Sequence, residues 1–365
     1  MNSSEKIIAK NTKLITYFTG FLSFIVFVYV LIALKQILIP ITIAVFLTFL
    51  FHPLLKYFAK YKIPKWVTLV FIFIALVTIN YFLALVLISS VDNMQVMLQV
   101  YSENLSRTVQ QILSPFNLTL KELAGMMGIN VGDLEAESLF HRLFESGFLV
   151  NMFNSFTSIL GDFFISMIFW VFMIMGKERF EERLKLAFLE KGDMISRSVT
   201  NIDEQLQSYI FLKTIISLAT GIIFTIILLL FGIDFAIIWG LLAFVLNYIP
   251  NIGSLIATVI PILISFLEYG FGIHTISLSI LLLVVQMVMG NFLEPHIMGR
   301  QMDLSPVFVL FSLVFWGLVW GIVGMFLAVP IAAAIKILCG NIEPLKPIAL
   351  LMGTKITTES PATKA

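Results

Sequence analysis

"LNYIPNIGSL", Leu246–Leu255, interrupts an almost unbroken apolar region with two asparagines, a proline, a glycine and a serine. Pro250 lacks a backbone donor and disfavours helix at Ile249, which frees carbonyls near Phe244–Leu246. Such backbone persists at membrane depth only where protein buries it or water wets it. The flanking apolar runs are short. Phe235–Ile249 has 15 residues and Ser254–Leu267 has 14, about 22 Å and about 21 Å as helices. Neither comfortably crosses a hydrocarbon core of about 30 Å. The stretch therefore predicts a broken helical hairpin, Phe235–Leu267, tipped by Pro250-Asn251-Ile252-Gly253. Two roles are open to that tip: an ordinary interfacial turn, or the lining of a substrate path or gate. The path candidates are Asn247, Pro250, Asn251, Gly253 and Ser254. Asn247 and Asn251 bring amide donors and acceptors. Ser254 is placed to cap the following half-helix, whose N-terminus carries partial positive charge.

Composition sets the frame. The 365 residues are 59% hydrophobic and 12% charged, with a mean hydropathy of +1.00. Soluble domains are about 45–50% apolar and about 25% charged. A globule of this size could not bury the excess, so an all-α polytopic membrane protein in a lipid bilayer is expected. Net charge is +1 and no basic run interleaves with aromatics, so nucleic acid is not an expected partner. The one cysteine, Cys339, excludes an internal disulfide and a cysteine-built zinc site. There is no H-E-x-x-H, P-loop or dinucleotide fingerprint. Gly161-Asp162 is half of an intramembrane aspartyl protease pattern without its second half, and Gly253-Ser254 lacks a base. No catalytic residue, metal or cofactor is expected, and the chain does not read as an enzyme. Without an ATP-binding domain, any transport is passive or gradient-coupled.

Apolar spans are expected at Leu14–Leu34, Ile37–Phe51 (ending at His52-Pro53), Trp66–Ser90, Phe153–Met175, Ile210–Phe231 and Ile273–Phe292. The first is a retained anchor rather than a signal peptide. Pro306–Leu338 makes a second pair of short halves, with Gly317, Gly321 and Gly324 at their junction and Pro330 in the second half. About eight spanning segments result, two of them broken or re-entrant hairpins. Basic loops (Lys6, Lys10, Lys13; Lys56 to Lys65; Lys177 to Arg197) place the N-terminus inside, and Lys346 and Lys355 follow with a cytoplasmic C-terminus. Residues 1–90 then hold the first spans and 91–151 a small external helical domain. Residues 152–176 form a span and 177–208 a cytoplasmic amphipathic segment. Residues 209–340 form a transport core with two hairpins, and 341–365 a tail. The stripe Met94, Leu98, Tyr101, Leu105, Thr108, Ile112 is helical. It either extends the third span and packs on its own domain or meets another subunit. Hairpins entering from opposite faces suit a transporter with a midplane site.

Glu294 and Arg300, in Asn291–Arg300, close a span. They form an interfacial ion pair, or a gate in which Glu294 responds to protons beside His296. Lys213 lies inside the fifth span, where a lysine costs about 2.5–3.5 kcal/mol at the bilayer centre. It either snorkels to the surface or has an internal partner. Asp162 poses the same question in the fourth span.

"FAIIWGLLAFVLNYIPNIGS" (Phe235–Ser254) and "GNFLEPHIMGRQMDLSPVFVLFSLVFWGLVWGIVGMFLAVP" (Gly290–Pro330) resemble the autoinducer-2 exporter family, most of all its quorum-signal branch. The likeness is strongest from Tyr209 to Lys336. His52 stands where the family commonly has asparagine before Pro-Leu. The resemblance implies a helical bacterial inner-membrane protein that forms homo-oligomers. It also carries over Lys213, Asn247, Pro250, Asn251, Gly253, Glu294, Pro295, Gly299 and Arg300 as motif residues, and of these Lys213, Glu294, Pro295, Gly299 and Arg300 are the candidates for a gate or coupling role. Some members export autoinducer-2, a small polar furanone, and others exchange monovalent cations for protons. The leading expectation is a secondary exporter of a small polar solute, autoinducer-2. The rivals are a cation/proton antiporter and an oligomeric scaffold without transport.

Overall fold

Long apolar runs set the architecture, because a backbone in lipid satisfies its own polar groups most directly as helix. The computed structural model describes residues 3–116, 161–176, 183, 192–298 and 303–354. Gly299, Arg300, the start of the fourth span, the 91–151 segment beyond Phe116 and the tail from Lys355 lie outside the described residues.

The helices are α1 (Ser3–Ala33), α2 (Lys35–Lys60), α3 (Lys65–Leu113), α4 (Gly161–Gly176), α5 (Gly192–Leu230), α6 (Ala236–Leu246) and α7 (Ile252–Tyr269). They continue as α8 (Ile273–Gln286), a π-helical segment (Met287–Leu293), α9 (Glu294–Met298), α10 (Pro306–Asn341) and α11 (Lys346–Met352). No β-strand forms among the described residues. Seven helical stretches there are long and apolar enough to cross a membrane. The all-α polytopic fold expected from composition is the fold the chain adopts.

The chain divides into two compact units, Phe46–Asp303, and Met1–Val45 with Leu304–Ala365. In the first unit, α5 and α6 meet through small residues, which let helix backbones approach closely. A Cβ on Gly221 would lie 2.7 Å from the Gly240 carbonyl oxygen, and one on Gly240 1.8 Å from Thr225 Oγ1. The α6–α7 hairpin is closed at its base: the Asp234 N–H donates to Glu268 Oε1 (3.0 Å) and the Tyr269 hydroxyl to the Gly232 carbonyl (3.0 Å). Ser265 and Thr275 hydroxyls join α7 to α8 at 3.2 Å. The α3 helix runs on from its apolar stretch, as the stripe allowed, and Asn104 donates to the Glu268 carbonyl at 3.0 Å. Aromatic pairs tie α4 to its neighbours: Phe51–Trp170 at 5.4 Å and Phe73–Phe164 at 6.4 Å.

In the second unit, α10 is a hairpin. Its backbone leaves helical geometry at Gly321 (φ 65°, ψ −143°). Ser312 Oγ then donates to the Ala328 carbonyl at 3.0 Å; a straight helix would hold those residues about 24 Å apart. The reversal lies at the expected junction of Gly317, Gly321 and Gly324. Trp320 Nε1 donates to the Leu31 carbonyl in the last turn of α1 (3.1 Å), satisfying an acceptor that the helix end leaves open. Ser305 caps α10 through the Phe308 N–H at 3.1 Å.

Three expectations are corrected. The second span does not stop at His52-Pro53, and α2 continues to Lys60. Each proline removes one donor, and the flanking bonds hold the helix. The second leg of the first hairpin has 18 residues rather than 14, about 27 Å. Helix restarts at Ile252 and passes through Pro261, so α7 is long enough to cross while α6, with 11 residues, is not. Third, Ser254 does not cap α7: Asn251 holds the N-cap position, no side chain caps it, and Ser254 Oγ donates to the Asn251 carbonyl at 2.9 Å.

Candidate functional site

Helical spacing gives α5 one buried face: Tyr209, Lys213, Ser217, Thr220, Phe224 and Leu228 recur at intervals of three or four. Phe224 and Leu228 are hydrocarbon, and the other four carry polar groups. The polar members are the ones that need partners, because an unpaired polar group is costly away from water. Thr220 bonds back to the Ile216 carbonyl at 2.8 Å, and Thr214 to the Ile210 carbonyl at 2.7 Å. Ser217 and Lys213 are satisfied from other elements.

Lys213, 2% exposed, donates to Glu294 Oε1 at 2.5 Å. The partners are 81 residues apart in sequence. The Glu294 side chain keeps 26% of its surface open, so the pair sits at the edge of the packed interior. Snorkelling is thereby overturned for Lys213, and Glu294 takes its charge partner from α5. The π-helical segment immediately before Glu294 changes the helical phase, as such segments often do at functional sites. Tyr209, one turn before Lys213, is buried within electrostatic range of the Glu294 carboxylate.

The hairpin tip docks beside this pair. Asn247 Nδ2 donates to Ser217 Oγ at 3.0 Å, and the Tyr248 hydroxyl donates to Thr214 Oγ1 at 2.6 Å. Thr214 spends its own proton on Ile210 and is free to accept. The Tyr248 ring also meets Phe46 of α2 at 5.9 Å. Lys213, Thr214, Ser217, Asn247, Tyr248 and Glu294 thus form one polar seam between the tip, α5 and α9.

Beyond Tyr248 the tip is built for reversal. The Ile249 N–H takes the Leu246 carbonyl (2.8 Å), one of those that Pro250 was expected to leave free. Asn251 adopts φ 61°, ψ −54°, and the Ile252 N–H bonds the Pro250 carbonyl at 2.7 Å. That is a γ-turn with positive φ, a rare and strained form, and asparagine tolerates positive φ better than most residues. Gly253 packs its backbone on Leu246, where a Cβ would lie 1.7 Å from the carbonyl oxygen.

The five path candidates therefore separate. Asn247 is buried in the seam. Gly253 is buried at the crossing of the legs. Asn251 is exposed, and Pro250 and Ser254 are half-exposed on the outer side of the turn. Of the gate candidates, Lys213 and Glu294 meet, Pro295 is exposed in the first turn of α9, and Gly299 and Arg300 are outside the described residues. Sequence reasoning missed Thr214, Ser217 and Tyr248. The available signal was hydroxyls one and four positions after a lysine inside an apolar helix.

Magnitudes rank these links. Removing one member of a buried ion pair costs about 3–5 kcal/mol, whereas a neutral hydrogen bond contributes about 0.5–1.5 kcal/mol net. Each of the tip's two neutral bonds is weaker than the ion pair.

A family model described as AI-2E family transporter matches residues 21–343. The AI-2 transport protein TqsA of Escherichia coli (strain K12) is 30% identical over 327 residues, covering 87% of this chain and 89% of that protein. A Haemophilus influenzae protein named "Putative transport protein" is 27% identical over 328 residues, covering 87% and 90%. A Borreliella burgdorferi protein of the same name is 27% identical over 318 residues, covering 86% and 84%.

Proposed function

The chain belongs to the AI-2E family of transporters, and on that premise we propose that this multi-pass membrane protein is a secondary exporter of a small polar solute, with autoinducer-2 as the cargo. The observation that carries the reading is the docking of a broken-hairpin tip, through Asn247–Ser217 and Tyr248–Thr214, onto a helix that also holds the buried Lys213–Glu294 pair. A tip held by neutral bonds beside a fixed pair can withdraw and return without separating charges. The name of the relative TqsA supports the cargo. In this reading the protein is a homo-oligomer of a bacterial inner membrane, its termini are cytoplasmic, and it carries out no catalysis. The turn at Asn251 shapes the tip, while Asn247 presents the amide that cargo meets.

The test is efflux of labelled autoinducer-2 from proteoliposomes under several imposed ion gradients. Efflux faster than from protein-free vesicles supports export; equal efflux under every gradient refutes it. A second reading, exchange of a monovalent cation for protons, draws on Glu294 being a part-exposed carboxylate at a membrane-embedded pair. Under that reading Glu294→Gln abolishes exchange.

A further inference from the structure

We infer that the seam selects an electrically neutral solute, and that the Lys213–Glu294 pair is the specificity-determining element because it cancels the site's charge internally. This rests on the transporter reading and adds the charge class of the cargo.

The groups at the seam divide into two kinds. Thr214, Ser217, Asn247 and Tyr248 are neutral hydrogen-bonding groups, engaged with one another across the tip. Among the described residues that form the seam, the formal charges are one cation and one anion, bonded together. Lys213 is almost fully buried and its electrostatic partner is Glu294. When the tip withdraws, it uncovers two hydroxyls on α5 and carries an amide and a phenol with it. Those donors and acceptors match a compound bearing several hydroxyl or carbonyl groups. A cation entering there would have to draw Glu294 from Lys213, and an anion would have to draw Lys213 from Glu294. Either event leaves a charge without its partner at the edge of the packed interior, where screening is weak and separation is costly. A neutral solute asks only for exchange of neutral hydrogen bonds. Size alone does not give this selection; charge compensation does.

The inference predicts that the cargo carries no charge across the membrane and, as the described residues of the site hold no unpaired charge for a coupling ion, that the neutral probe crosses uncoupled from any ion. A solute carrying one elementary charge across about 100 mV changes its equilibrium ratio about fifty-fold. Full-length protein in liposomes is tested with labelled autoinducer-2, erythritol, rubidium and lactate, at about 100 mV of either sign set by potassium and valinomycin. The expected result is passage of autoinducer-2 or erythritol with a final ratio that changes less than about twofold on reversing the potential. Rubidium and lactate should stay at protein-free rates. Lys213→Met, which leaves Glu294 uncompensated, should raise rubidium flux relative to erythritol. Glu294→Gln should raise lactate flux in the same way. The double variant K213M/E294Q should restore the preference for the neutral probe over both ions, which a purely structural pair would not do.

Wild-type passage of rubidium or lactate, or a potential-dependent ratio for the neutral probe, overturns the inference and leaves the transporter reading standing. Absence of flux for all four probes overturns both. If the single variants fail to fold, the wild-type measurement under reversed potential still decides the question.

Discussion

A methyl group on Gly253 would lie 1.7 Å from the carbonyl oxygen of Leu246. The two residues meet because the chain reverses between them. No rotamer relieves a backbone clash, so Gly253→Ala must push the legs apart. We expect a loss of about 1–3 kcal/mol, the range for overpacked sites, together with loss of transport. Thermal unfolding in detergent and vesicle efflux measure both. Gly272→Ala is the control, since nothing lies within 4 Å of its Cβ position.

The second hairpin repeats the device. A Cβ on Gly324 would lie 1.9 Å from the Trp316 carbonyl oxygen. Gly324→Ala should therefore lower the melting temperature, while Gly20→Ala, in open space on α1, should leave it unchanged or raise it slightly through helix propensity. Equal melting temperatures for Gly324→Ala and wild type would remove the tight turn from the account of α10.

Both hairpins were legible because proline and glycine clusters leave apolar runs on either side. Their internal geometry was not. Nothing in "PNIG" says that the helix restarts at Ile252, because helix restart depends on the γ-turn at Asn251 and on the approach of Gly253 to Leu246. Lys213 was visible as a costly charge inside an apolar span, and Glu294 as a carboxylate closing one. Their pairing was hidden because it depends on the packing of α5 against α9 and on a π-helical phase change that leaves no compositional mark. Nothing in the sequence separates the hydroxyls of Thr214 and Ser217 from those of helix residues bonding back to their own backbone, which Thr214 also does.

Lys213→Met should destabilise the protein by about 3–5 kcal/mol, because Glu294 is left without its charge partner. K213M/E294Q should recover much of that loss, since the uncompensated charge is gone. Unfolding in detergent measures both. If the double variant is no more stable than the single one, charge compensation is not what holds α5 to α9.

The tip's docking bond is measurable by a double-mutant cycle. Asn247→Ala and Ser217→Ala should each destabilise, and their coupling should be about 0.5–1.5 kcal/mol. Strict additivity would mean that Asn247 Nδ2 and Ser217 Oγ do not interact in the membrane.

Asn251 decides between a turn and a ligand at the centre of "LNYIPNIGSL". Its φ of 61° supports the turn. Glycine adopts that backbone without strain, so Asn251→Gly should transport within about twofold of wild type, as Gly accepts positive φ readily. Asn251→Val should be slower and less stable by about 1–3 kcal/mol, the usual strain of a poorly tolerated φ/ψ. A side chain that binds cargo gives the opposite pattern: Gly and Val would both abolish transport, because neither has an amide. Efflux rates for the two variants, normalised to folded protein in the vesicles, separate the outcomes. Transport by Asn251→Gly with failure of Asn251→Val fixes the residue's role as shaping the tip that brings Asn247 to Ser217.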